Sequence, residues 1–117
     1  MKSKVYFTSE ITPEKVVELY RALGVELPGK VSVKVHSGEK GNQNFLRPEF
    51  WRPMVEEVHG TIVECNTAYG DASTGVRDNT ESHLKLIEEH GWNKYFDEDL
   101  MDAEGSDDVW HIPNWKL

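Results

Sequence analysis

Two short stretches of this 117-residue chain put reactive side chains where strands should end. In KVSVKVHSGE, His36, Ser37 and Gly38 follow an alternating β-branched run, and in TIVECNT, Cys65, Asn66 and Thr67 follow an apolar one. A thiol near an imidazole is the makings of a Cys–His nucleophilic pair, with the histidine drawing the thiol proton. If the chain catalyses a reaction, His36 and Cys65 are the residues to carry it. A small buried Cys65 beside a hydrogen-bonded His36 explains the same residues, and no oxyanion-donor motif flanks Cys65. The pair requires neighbouring strands; whether the chain is an enzyme stays open.

Each strand end leads into a loop of 12 residues, longer than usual for such a connection. The first, His36 to Arg47, carries Gly38, Lys40, Gly41 and Arg47. Backbone amides freed by glycine beside two cations suit a phosphate or carboxylate, although neither the phosphate-loop nor the GxGxxG pattern is present. The second, Asn66 to Arg77, is rich in hydroxyl and amide groups, and Tyr69 can stack or hydrogen-bond. The expected ligand contacts are Ser37, Gly38, Lys40, Gly41, Arg47, Asn66, Thr67 and Tyr69, lining a cleft or half of a larger interface.

Metal chemistry has little support. His59, His83, His90 and His111 show no HxH or HExxH spacing, and only Glu64 and Cys65 could join His36 as ligands, so no metal site is assigned. His59 and His90 each precede a helix-ending glycine, where a cation suits the helix dipole. One cysteine excludes an internal disulfide and any four-cysteine iron–sulfur site within this chain, and leaves the cofactor unknown.

The elements that must hold these groups follow from periodicity. Lys4 to Thr8 reads as a strand, and Thr12 and Pro13 open a helix with Val16, Val17, Leu19, Tyr20 and Leu23 on one stripe and Gly24 as its cap. Lys30 to His36 is a second strand, and Pro48 opens a helix presenting Phe50, Trp51, Met54, Val55 and Val58 and ending at Gly60. Thr61 to Cys65 is a third strand; Asp78 and Glu81 form a capping-box-like start for a helix with Leu84, Leu86 and Ile87, ending at Gly91. The start of a fourth strand at Lys94 to Phe96, and a further short strand from Val109 to Ile112, complete the reading. The result is one α/β domain over residues 1–117: an open, mostly parallel sheet of three βα units in Rossmann-like order, with a less regular C-terminal third.

Charge excludes some partners. The net charge of −8 argues against a phosphate-neutralising surface, so nucleic acid is not expected as a partner. Residues 1–77 balance 10 acidic against 10 basic residues, whereas residues 78–117 hold 11 acidic and 3 basic. No stretch approaches the roughly 20 apolar residues of a membrane span, and no signal peptide opens the chain, so no membrane and a reducing, cytoplasmic setting are expected. Trp51 sits on a helix stripe and belongs to the core; Trp92, Trp110 and Trp115 fall in the acidic last third, where they pack on the sheet or against a partner.

The runs KVYFTSEITPEKVVELYRALG, LPGKVSVKVHSGEKGNQNFLRPEF, GTIVECNTAYG and HLKLIEEHGW resemble the amino-terminal part of the uncharacterised family catalogued as domain of unknown function 362. The likeness runs from about residue 3 to about residue 105 and is most specific in VKVHSGE and VECNTAYG, the two strand ends already singled out. Longer members often carry a ferredoxin-like four-iron module, so the resemblance implies iron–sulfur-associated redox work with the cluster supplied elsewhere. It also implies that residues 1–117 are a fragment or short form of a longer domain. Two functions are therefore expected: a domain with a small-molecule or anion cleft at the strand carboxyl ends, or a non-catalytic assembly module. The latter would dock another subunit, a second copy or an iron–sulfur partner domain through the acidic, tryptophan-bearing last third.

Overall fold

The computed structural model describes residues 3–67, 75–101 and Pro113. Helix α1, Pro13–Leu23, starts where Thr12 Oγ1 accepts the Lys15 amide at 3.3 Å, and ends at Gly24 in the left-handed region. Strand β1, Ser32–Lys34, is followed by α2, Pro48–Val58, and β2, Thr61–Glu64. Helix α3, Thr80–Glu89, a short 3-10 turn at Trp92–Lys94 and strand β3, Glu98–Leu100, complete the order.

The three strands are parallel in the order β1-β2-β3, pairing Val33 with Ile62 and Ile62 with Glu98. Each pair is joined through a helix, as parallel strands require. This is the open parallel α/β sheet that the periodicity predicts. The core consists of Val35, Val55, Ile62, Ile87 and Trp92, with Val33, Phe45, Trp51 and Phe96 packed against it. Because side chains alternate along a strand, Ile62 and Glu64 share a sheet face with Glu98 and Leu100. Helix α1 docks on α2, burying Val17, and Arg21 forks onto Glu57 at 2.7 and 2.6 Å.

Several elements differ from expectation. Lys4–Thr8 is not a strand: Val5 and Phe7 are 88% and 85% exposed, and strand propensity without a paired edge does not make a strand. Lys94–Phe96 is not a strand either. Tyr95 and Phe96 both donate amides to the Trp92 carbonyl, at 2.9 and 3.1 Å, so the chain is still turning there. The pairing segment begins at Glu98. Helix α3 is capped by Asn79, which accepts the Ser82 amide at 3.0 Å, one residue beyond the expected Asp78. In α2 the left-handed cap is His59, not Gly60; a Cβ on Gly60 would meet a Val33 methyl at 2.8 Å. Leu84 is exposed, and the buried stripe of α3 is His83, Leu86 and Ile87. Trp92 is fully buried, whereas Trp110, Trp115 and the expected strand Val109–Ile112 lie outside the described residues. Among the described residues no helix is long and apolar enough to cross a membrane.

Candidate functional site

The carboxyl ends of β1 and β2 meet around Glu64, which is 1% exposed. A buried carboxylate is costly unless it is paired and hydrogen-bonded, and Glu64 has both. The Lys34 ammonium bonds its Oε2, Arg77 Nη1 donates to Oε1 at 3.0 Å, and the amides of Cys65 and Ser37 donate at 2.9 and 3.2 Å. Burial pushes the carboxyl up, but the Lys34 bond and the two amides outweigh it and hold it below the ordinary glutamate range. Glu64 is therefore a fixed anion that orients everything touching it.

A second chain of bonds leaves Ser37. Asn66 Nδ2 donates to Thr80 Oγ1 at 3.2 Å, which turns its Oδ1 toward His83 Nδ1 at 3.1 Å. His83 then carries its proton on Nδ1, and Nε2 accepts the Ser37 hydroxyl at 3.0 Å. Burial lowers the affinity of His83 for a second proton, so the ring is held neutral. This order, hydroxyl to imidazole to amide, resembles a catalytic relay, but Ser37 has no exposed surface. Here it locks the strand end. The Ser37 carbonyl is fixed as well, by His90 Nδ1 at 2.8 Å and Trp92 Nε1 at 3.1 Å, with the His90 ring stacked on Phe45.

At the rim, His36 is exposed. Its Nδ1 accepts the Gly38 amide at 2.9 Å, so Nε2 bears the proton. That N–H lies 3.5 Å from Arg77 Nη2, also a donor. Two donors side by side cannot bond one another; they invite an acceptor. Arg77 is steadied by Glu39, which accepts from its Nε at 2.6 Å. Nearby, the buried Oγ1 of Thr67 has no partner among the described residues, while its amide bonds the Arg77 carbonyl at 2.7 Å.

β1 and β2 are adjacent, so the strand ends bearing His36 and Cys65 do meet; Cys65 is half-buried, and no hydrogen bond joins it to His36. Ser37, Gly38, Asn66 and Thr67 converge on the same end. Gly38 sits at φ +102° with His90 2.6 Å from where a Cβ would be, so glycine is required there. Lys40 and Gly41 are exposed further out, and Arg47 is held on its loop by Gln43 at 2.7 Å and by the Phe45 ring at 4.0 Å. Tyr69 lies outside the described residues, with 68–74 of the second loop. Among the described residues no group of three or more His, Cys, Asp and Glu side chains gathers as a metal set.

Spacing and residue type assign no role to Lys34, Glu39 or His83, and mark Glu64 only as a conceivable ligand and Arg77 only as a loop end. His90 proves to be a tie to Ser37 rather than a dipole partner alone. Two signals were present: a glutamate inside the otherwise apolar TIVEC, and the spacing of His83, Leu86, Ile87 and His90 on one helical face.

A family model described as Domain of unknown function (DUF362) matches residues 31–115, from just before β1 onward, leaving α1 and the segment before it outside the match. No curated protein and no solved structure matches the chain.

Proposed function

The chain belongs to the DUF362 family, and from that premise we propose that it binds a small anionic molecule at the carboxyl ends of β1 and β2. The observation that carries this reading is the facing pair of donors, His36 Nε2–H and Arg77 Nη2, held 3.5 Å apart; Nη2 also meets the Glu39 carboxylate at 2.5 Å, and among the described residues no hydrogen bond to an acceptor is made by His36 Nε2. A carboxylate or phosphate oxygen seated there bonds both and adds a charge-assisted contact to the guanidinium. The unpartnered Thr67 hydroxyl supports the same position, and the Glu64 knot supplies the rigidity that such a site needs. Lys40 lends positive charge at the rim, and Gly38 lets the backbone come close. His36 and Cys65 are the reactive groups if a reaction follows binding. The setting we propose is a cytoplasmic redox assembly whose four-cysteine cluster module is contributed by another segment or chain.

Titration of the protein with inorganic phosphate and with a dicarboxylate, followed by amide NMR, tests this. Saturable shifts centred on Gly38 and Ser37, weakened at least tenfold in His36→Ala with an unchanged urea midpoint, are expected. Absence of a saturable shift with either anion, or full binding by the variant, overturns the proposal.

A second reading, an assembly module, draws on the exposed apolar side chains of Val5, Phe7 and Ile11 ahead of α1. A concentration-independent monomer in light scattering refutes it.

A further inference from the structure

Among the described residues, Glu98 stands apart from the proposed site as a carboxyl that its surroundings leave wholly unsatisfied. Both of its carboxyl oxygens are buried, and among the described residues neither has a hydrogen-bond partner. It sits at the first position of β3, opposite Ile62, and lines a cleft of about 280 Å³ between α3 and the turn after it. The charged groups facing that cleft are all acidic: Glu88 from α3 and Asp97 from the turn, with Glu64 two residues along on β2. Among the described residues no cation lines it.

β3 is poorly placed to absorb a buried charge. It has three residues, pairs on one side with β2, and buries only Leu100. Its end is tied to the site, because the Met101 amide donates to the Glu64 carbonyl at 3.0 Å.

We propose that Glu98 makes β3 a proton-operated latch: the protonated carboxyl lets the strand dock on β2, and loss of that proton to water releases the strand and loosens the Glu64 knot. A neutral carboxyl can be buried at modest cost, whereas an ionised one among acids and without a donor cannot. Burial first, and the Glu64 charge second, raise its pKa to about 7, so the change falls within the ordinary cellular range. The sign follows from linkage. The released strand would titrate near 4.5, so opening becomes easier as pH rises from about 4.5 to about 7 and levels off above that. The latch does not rest on the anion proposal: phosphate binding can fail while the strand still responds to pH.

Amide hydrogen exchange of the full chain at pH 6 and pH 8, corrected for intrinsic rates, tests it. About tenfold more opening is expected at pH 8 for the amides joining β2 to β3 and for Met101, with β1 unaffected. Glu98→Gln, which keeps the shape and removes the titration, should show no difference between the two conditions. Equal opening of the unaltered protein at both pH values, or an undiminished difference in Glu98→Gln, overturns the latch. The carbon-13 shift of the Glu98 carboxyl gives a second measure: a midpoint near neutrality supports it, and one in the ordinary glutamate range refutes it.

Discussion

Glu64 and Glu98 are the same residue type, on adjacent strands and on the same face of one sheet, yet the fold treats them in opposite ways. Glu64 receives an ammonium, a guanidinium and two backbone amides, and stays ionised. Glu98 receives no donor among the described residues and is pushed toward neutrality. The difference lies in position along the strands. At the carboxyl end, the chain turns away into loops whose free amides and cations converge on an acid; at the amino end of β3, among the described residues, the cleft beside the acid is lined mostly by other acids and apolar side chains and supplies it no donor. Burial alone therefore does not decide whether a carboxylate keeps its charge; the supply of donors does.

The comparison can be broken hardest from the Glu64 side. Glu64→Gln leaves Lys34 without its anion and Arg77, only 10% exposed at its side chain, with Glu39 alone, and should cost about 3 kcal/mol in urea unfolding at pH 7. A loss below about 1 kcal/mol would mean that the knot is ornamental. Next, His83→Phe keeps an aromatic ring, slightly larger, but strands the Asn66 carbonyl and leaves the Ser37 hydroxyl only its longer bond to Glu64, for which about 1–3 kcal/mol is expected. Should the phenylalanine variant match the parent in stability, the relay contributes only packing. The smallest effect, and opposite in sign, belongs to Glu98→Gln: roughly 1–2 kcal/mol of stabilisation at pH 8 that shrinks as pH falls below about 7 and is gone near 4.5. Its folded-state pKa is raised, so the stability it confers is present at low pH and is lost as pH rises to about 7. Destabilisation by this variant at pH 8 would erase the contrast.

How much of this was readable in advance varies by element. The helices were, because Thr12, Pro13 and Gly24 mark one and Pro48 opens another, and local rules of capping and spacing act within a turn or two. The strand ends bearing His36 and Cys65 were also legible, as alternation and apolar runs. β3 was not: Glu98, Asp99 and Leu100 have no strand character of their own, and they pair because Trp92, buried to its indole nitrogen, anchors the turn that delivers them to β2. Lys4–Thr8 shows the reverse, strong propensity with nothing to pair against.

The candidate site divides the same way. Residue types and spacing alone brought His36, Ser37, Gly38, Asn66 and Thr67 to one end of a parallel sheet, because strand direction fixes where loops emerge. Only the tertiary structure selected Arg77 and Lys34 as partners of Glu64 and put His83 behind Ser37. Those contacts span 13, 30 and 46 residues of chain, and no local pattern records them. Periodicity is written in neighbours along the chain. Charge satisfaction is settled between residues that meet only after folding, and so the sequence determined where chemistry could gather, while the packed structure decided which acid keeps its charge.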